Sequence, residues 1–231
     1  MIKAVVFDLD GTLVTFNLDV KACRTEIIQY LTDQGIPNDL FSMKETAFDM
    51  LAKAKKYLTI KANKEQNFVQ IKKIVYSILE RFELKSAKTT ETFLGIPETL
   101  KTLKAMNLKL ALCTISGEKA AEYILNRFNL GHFFEAVITR ENVSEVKPHP
   151  AHLETVLKTL NALPQDTVMV GDSVKDVTCA IRLNILAVSV TTGLSSIDEL
   201  TSSGAHYIVS SANDIPNLII QLEKLSINET V

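Results

Sequence analysis

The sequence predicts an α/β fold, a Rossmann-like parallel sheet with helices on both faces and an all-helical module inserted into it. Three observations predict it. Short apolar runs without polar alternation recur along most of the chain, the pattern of strands buried on both faces. Stretches with helical spacing lie between most of them, which is the order of a parallel sheet covered by helices. One segment, residues 17–88, contains helical patterns and no convincing strand. At 231 residues the chain lies between one and two ordinary domains in length.

The first apolar run, residues 2–7, ends in the glycine-containing turn at Gly11 and reads as a buried strand. Helical patterns follow over 18–34, 40–58 and 64–84. The first stops at Gly35 with Pro37 beyond it, and the third carries Phe68, Ile71, Val75, Ile78, Leu79 and Phe82 at helical spacing. A Ser/Lys/Thr stretch from Lys85 to Thr92 reads as the return linker. Strands are then expected at 108–113, 136–138, 167–170, 185–190 and 207–209, with helices at 117–128, 150–160, 174–183 and 212–225. The domain boundaries that follow are 1–16 and 89–231 for the α/β core and 17–88 for the helical module.

Composition is that of a globular protein, 46% hydrophobic and 23% charged. A chain of this size buries a sizeable core without disulfides or metal staples. Twenty-five basic residues against 27 acidic ones leave −2, so no strong field marks nucleic acid or a membrane as partner. The charge is divided, however. Residues 17–89 hold 13 Lys/Arg and 9 Asp/Glu, a balance of +4, and the rest holds 12 and 18, a balance of −6. Most of those lysines form a solvated helix face; the alternative is that some of Lys53, Lys55, Lys56, Lys61 and Lys64 attract an anionic substrate. Cys23, Cys113 and Cys179 form neither a CxxC pair nor an even set and read as buried reduced thiols. The apolar start, residues 1–7, is too short for a signal peptide, and no run reaches the length of a membrane span. The expectation is a soluble cytoplasmic protein.

The strongest chemical signal is Asp8-Leu9-Asp10-Gly11-Thr12 at the carboxyl end of the first strand. Residues two apart on a strand project to one side, so both carboxylates face one space, and ligands of open α/β sheets bind beyond the carboxyl ends of the strands. An Asp-Gly turn with capping acids is the alternative. Three further pieces fall at predicted strand ends: Thr114, Lys147 in Val146-Lys147-Pro148, and Gly171-Asp172-Ser173-Val174-Lys175-Asp176. Asp172 and Asp176 could also serve as helix caps. Four carboxylates, one lysine and one threonine make a metal-and-phosphate site, and oxygen ligands suit Mg²⁺.

With these four motifs in this order, essentially the whole chain resembles the haloacid dehalogenase superfamily, in particular its phosphoglycolate-phosphatase-like phosphatases with an inserted all-α cap domain. The resemblance implies that Asp8 attacks phosphorus and becomes an aspartyl-phosphate. Asp10 would protonate the leaving oxygen and later deprotonate water. Mg²⁺ would be held by Asp8, the backbone carbonyl of Asp10 and Asp172, with Asp176 supporting that shell. Thr114 and Lys147 would bind the phosphoryl oxygens, and Lys147 would also restrain Asp8. Family dehalogenases generally lack an acid at the position of Asp10, so Asp10 argues for phosphoryl chemistry. Family members often carry Asn or Gly after the threonine, whereas Thr114 is followed by Ile115, Ser116 and Gly117. The substrate class implied is a small phosphorylated metabolite. A sugar phosphomutase of the same family is the alternative, and a receiver-like phospho-acceptor domain fits poorly because receivers are about half this length and have no use for the insert.

His149 and His152 lack partners at zinc-ligand spacing and read as surface or helix-start histidines. His132 and His206 read as structural, and Gly193 as a residue bordering the site. No GxGxxG or GxxxxGK[ST] appears, which disfavours a dinucleotide or P-loop site.

Overall fold

The computed structural model of the protein describes residues 1–62 and 68–228. They divide into two compact units, residues 1–16 with 89–231, and residues 17–88.

In the first unit six strands pair in parallel: β1 (Ala4–Phe7), β2 (Lys109–Cys113), β3 (Ala136–Ile138), β4 (Thr167–Gly171), β5 (Leu186–Val190) and β6 (Tyr207–Val209). Their order is β3-β2-β1-β4-β5-β6. The chain builds outward from β1 to β3, then returns and builds the other way from β4. The reversal places β1 beside β4, with Phe7 level with Val170 on one side and Leu112 on the other. Such a reversal opens a crevice at the carboxyl ends of the central strands, where Asp8 and Asp172 emerge.

The central strands β1, β2, β4 and β5 lack alternation because both their faces are buried. On one face Ala4, Val6, Ala111, Cys113, Met169 and Ala187 form a single core. Helices α6 (Pro150–Leu160) and α7 (Val174–Arg182) cover it with Leu153, Val156, Leu157, Val177 and Ala180. The intervening residues Val5, Phe7, Leu110, Leu112, Val168 and Val170 are equally buried and point to the opposite face. Helix α4 (Ile96–Ala105) packs on β2 and on α9 (Ile215–Asn228). The unit also contains α5 (Glu118–Arg127) and α8 (Ile197–Ser202).

The second unit holds α1 (Val20–Asp33), α2 (Ala47–Tyr57) and α3 (Phe68–Ala87). It has its own core of Cys23, Ile27, Leu31, Met50, Leu51, Ala54, Ile71, Val75 and Leu79. Two boundaries differ clearly from expectation. Helix α2 starts at Ala47 rather than at residue 40, because Thr46 and Asp49 close a reciprocal capping box there. Helix α3 runs on to Ala87, since Lys85 and Ser86 are compatible with a helix, so the return linker is shorter. The start of the third helical pattern, Lys64 included, lies outside the described residues. Helices α4 and α8 were not anticipated. Lys53, one of the lysines considered for substrate attraction, pairs within its own unit with Glu45 (2.6 Å) and the Leu40 carbonyl (3.0 Å).

Among the described residues no helix is long and apolar enough to cross a membrane. All three cysteines are buried free thiols.

Candidate active site

Asp8 continues β1 for one residue, its N–H donating to the Val170 carbonyl (2.9 Å), so its buried side chain leaves a rigid strand end. The chain then turns sharply: Gly11 adopts φ +85° and its N–H donates to the Val14 carbonyl (2.7 Å). A side chain at Gly11 would meet Asp172 Oδ2 at 2.6 Å, so the turn requires glycine both for its conformation and for the space Asp172 occupies.

Asp172 follows β4 and Asp176 lies one turn into α7. Ser173, not Asp172, is the cap of α7: Asp176 Oδ2 accepts from the Ser173 hydroxyl (2.6 Å) and N–H (3.1 Å). The capping role therefore falls to Ser173 and Asp176. Asp176 serves the site as well, through its other oxygen. Carboxylate oxygens of Asp8, Asp172 and Asp176 lie within 4.8 Å of one another.

Lys147 closes this group. Its buried ammonium donates to Asp8 Oδ1 (2.7 Å), Asp176 Oδ1 (2.6 Å) and the Cys113 carbonyl (2.6 Å), using all three of its protons. Thr114, one residue past β2, is buried and fixed by its N–H to the Ile138 carbonyl (3.0 Å). Its hydroxyl accepts from Ser116 N–H (3.1 Å). Asp10 is not part of the three-carboxylate group; its Oδ2 accepts from the Ser116 hydroxyl (2.6 Å).

The electrostatics follow from crowding buried charge. Burial pushes Asp8 up to about 6, with Asp176 adding to the rise and Lys147 opposing it. Burial raises Asp172 to about 8, reinforced by Asp8 and Asp176. Burial alone would lower Lys147, but Asp176 and Asp8 hold it well above the usual lysine value. Three carboxylates facing one ammonium leave the group short of positive charge, and its donors are all hard oxygens. That set fits a divalent cation of the Mg²⁺ or Ca²⁺ kind.

Three contributors escaped the sequence reading. The loop after β5 closes on the first turn: Thr192 donates to the Gly11 carbonyl (2.6 Å) and Leu194 N–H to Asp172 Oδ2 (3.1 Å). Gly193, in the same loop, borders the site as expected, so closely that an added Cβ would lie 1.8 Å from Asp172 Oδ2. Ser116 joins Asp10 to Thr114. His152 is wholly buried rather than a surface residue. Its Nδ1 accepts from Lys147 N–H (3.3 Å), and Nε2 faces the Ile138 carbonyl (3.3 Å). No spacing rule links such distant positions. His149 does start α6 as its cap, accepting from Ala151 N–H (3.2 Å), and His206 is structural, accepting from Ala187 N–H (3.0 Å).

The parallel sheet and the acid-and-lysine cluster at its central strand ends define an α/β protein with a carboxylate-rich candidate site. The chain belongs to the family described as haloacid dehalogenase-like hydrolase, whose sequence pattern matches residues 5–190. Relatives are similar along nearly the whole chain. The pyrophosphatase PpaX of Bacillus mycoides is 26% identical over 93% of this chain and 95% of its own. A phosphoglycolate phosphatase of Colwellia psychrerythraea is 25% identical over 96% and 97%. In structure the fold is like that of a predicted phosphatase from Clostridium acetobutylicum, with TM-score 0.67 at 23% identity, covering 96% of this chain and 99% of that one. The protein is an enzyme of the phosphatase branch of this family.

Proposed function

We propose that the protein is a Mg²⁺-dependent phosphomonoesterase acting on a small phosphorylated metabolite through an aspartyl-phosphate on Asp8. The observation that carries this reading is the buried Lys147 ammonium holding Asp8 Oδ1 beside two further carboxylates. With Oδ1 held, Asp8 Oδ2 attacks phosphorus and the bond from phosphorus to the ester oxygen breaks. Asp10 gives its proton to that departing oxygen, so an alcohol leaves rather than an alkoxide. Asp10, now ionised, takes a proton from water as the water attacks phosphorus. The bond to Asp8 breaks and inorganic phosphate leaves. Thr114 supplies a hydroxyl donor to the phosphoryl oxygens and Lys147 its positive charge. Mg²⁺ would be held by Asp8, Asp172 and the Asp10 carbonyl, with Asp176 supporting them, and when bound it supplies charge neutralisation for the carboxylates and the phosphoryl group. The helical unit of residues 17–88 acts as the cap that selects among esters.

Phosphate release with Mg²⁺ across a panel of small phosphate compounds tests this. The panel should include phosphoglycolate and pyrophosphate, which the names of the relatives suggest, together with sugar phosphates and nucleoside monophosphates. Multiple turnover without a bisphosphate activator is expected of a hydrolase and not of a mutase. Asp8→Asn should lower kcat on the order of a thousandfold or more with the fold retained. Near-normal turnover by that variant would overturn the covalent route.

A further inference from the structure

We infer that Ser116 is a positioning residue for Asp10, setting the orientation of the acid–base carboxyl from the end of β2. This rests on the role proposed above for Asp10 and adds the residue that aims it. Ser116 is attached to rigid structure. The Thr114 N–H donates to the Ile138 carbonyl (3.0 Å), which extends the β2–β3 pairing by one residue. Ser116 N–H donates to the Thr114 hydroxyl (3.1 Å), and Arg140, buried at the end of β3, reaches the Ile115 carbonyl between them (3.4 Å). From that fixed position the Ser116 hydroxyl donates to Asp10 Oδ2 across 2.6 Å.

The direction of this hydrogen bond matters. A hydroxyl bonded to one carboxyl oxygen fixes the rotation of the carboxyl plane. With Oδ2 accepting, the transferable proton is placed on Oδ1, so Asp10 delivers its proton in one direction. When that proton has passed to the ester oxygen, the same donor stabilises the carboxylate left behind, and hydrogen bonds to ionised acceptors are the stronger ones. The Ser116 N–H to Thr114 also has a consequence: the Thr114 hydroxyl accepts there, which frees its own hydrogen for a phosphoryl oxygen. Ser116 therefore couples the acid to the phosphate cradle.

A leaving-group series separates this role from a structural one. Substituted phenyl phosphates, from p-nitrophenyl to unsubstituted phenyl, differ mainly in how much they need a proton on the departing oxygen. Ser116→Ala should lower the single-turnover rate of Asp8 phosphorylation about tenfold more for phenyl phosphate than for p-nitrophenyl phosphate, a step that precedes the water attack common to all esters, with KM little changed for either. Ser116→Thr, which keeps the hydroxyl, should restore the wild-type dependence. In an Asp10→Asn background the Ser116→Ala effect should vanish, because the residue acts through Asp10. Equal loss across the series, or a rise in KM with the dependence unchanged, would overturn the inference, as would a full Ser116→Ala effect without Asp10. If Asp10→Asn itself leaves the leaving-group dependence unchanged, the role of Asp10 falls instead. Should Ser116→Ala not fold, Ser116→Cys, a weaker donor of similar size, gives the same comparison.

Discussion

His152 sits in the first turn of α6 with both ring nitrogens engaged, one by the backbone of Lys147 and the other by the end of β3. It thereby joins the lysine loop to the sheet. Burial, with Lys147 adding to it, holds the imidazole down at about 4 from an ordinary 6.5, so the ring is neutral in the native protein at neutral pH. The folded state then binds this proton less readily than the unfolded chain, and stability falls as pH drops from about 6.5 towards 4. Near pH 5 the loss due to His152 should be about 1–2 kcal/mol. Urea midpoints at pH 7 and pH 5 check this: the wild type should lose more stability than His152→Gln, which cannot titrate. Asp8, Asp172, Asp176 and Lys147 are common to both proteins, so the difference isolates His152. Equal losses would place its titration elsewhere. A buried histidine of this kind is hard to read from sequence, because its partners are backbone atoms. By contrast, acids and a lysine at the ends of apolar runs announce themselves. Asp8, Asp172, Asp176 and Lys147 were legible for that reason, whereas the Ser116–Asp10 contact spans 106 positions in sequence and follows no periodicity.

The elements show the same division between local and distant signals. Strands β1, β2, β4 and β5 were legible because burial on both faces leaves continuous apolar runs, and the less buried edge strands β3 and β6 because their residues are still apolar. Helix α4 was not, since its buried positions Ile96, Thr99, Leu100 and Leu103 make only a short stripe that includes a polar residue. A second local device went unread. Helices α4, α5, α6 and α7 are each followed by asparagine in the left-handed region, at Asn107, Asn129, Asn161 and Asn184. Asparagine tolerates this conformation better than other residues with a Cβ, and it reverses the chain from helix towards the next element. At Asn184 (φ 55°) the turn leads directly into β5, whose far end carries the loop that contacts Asp172. Asn184→Ala should therefore destabilise the protein by about 1 kcal/mol, while Asn184→Gly should be neutral or slightly stabilising. Chemical denaturation of the two variants gives the comparison. An alanine variant as stable as the glycine one would mean the backbone has relaxed out of the left-handed region.

On the scale of the whole molecule, the two units have separate hydrophobic cores, but the acid group belongs to one of them. Asp8, Asp172 and Asp176 all come from the α/β unit, and without a cation burial and mutual repulsion disfavour ionising all three together. Removing one carboxylate should relieve this repulsion, so Asp172→Asn without added metal should be at least as stable as the wild type. Adding Mg²⁺ should reverse the ranking. A cation that binds only the folded state stabilises it by about 2.7 kcal/mol at a hundredfold excess over its Kd, and that gain requires the carboxylate the variant lacks. The wild-type melting temperature should rise with Mg²⁺ concentration and fall back with EDTA, while that of Asp172→Asn should move little. Hydrogen exchange should locate the effect: Mg²⁺ should slow exchange in β1 and β4 and leave α1, α2 and α3 unchanged if the units open independently. Uniform slowing across both units would show that they unfold as one. No thermal shift in the wild type would remove the cation from the proposed site.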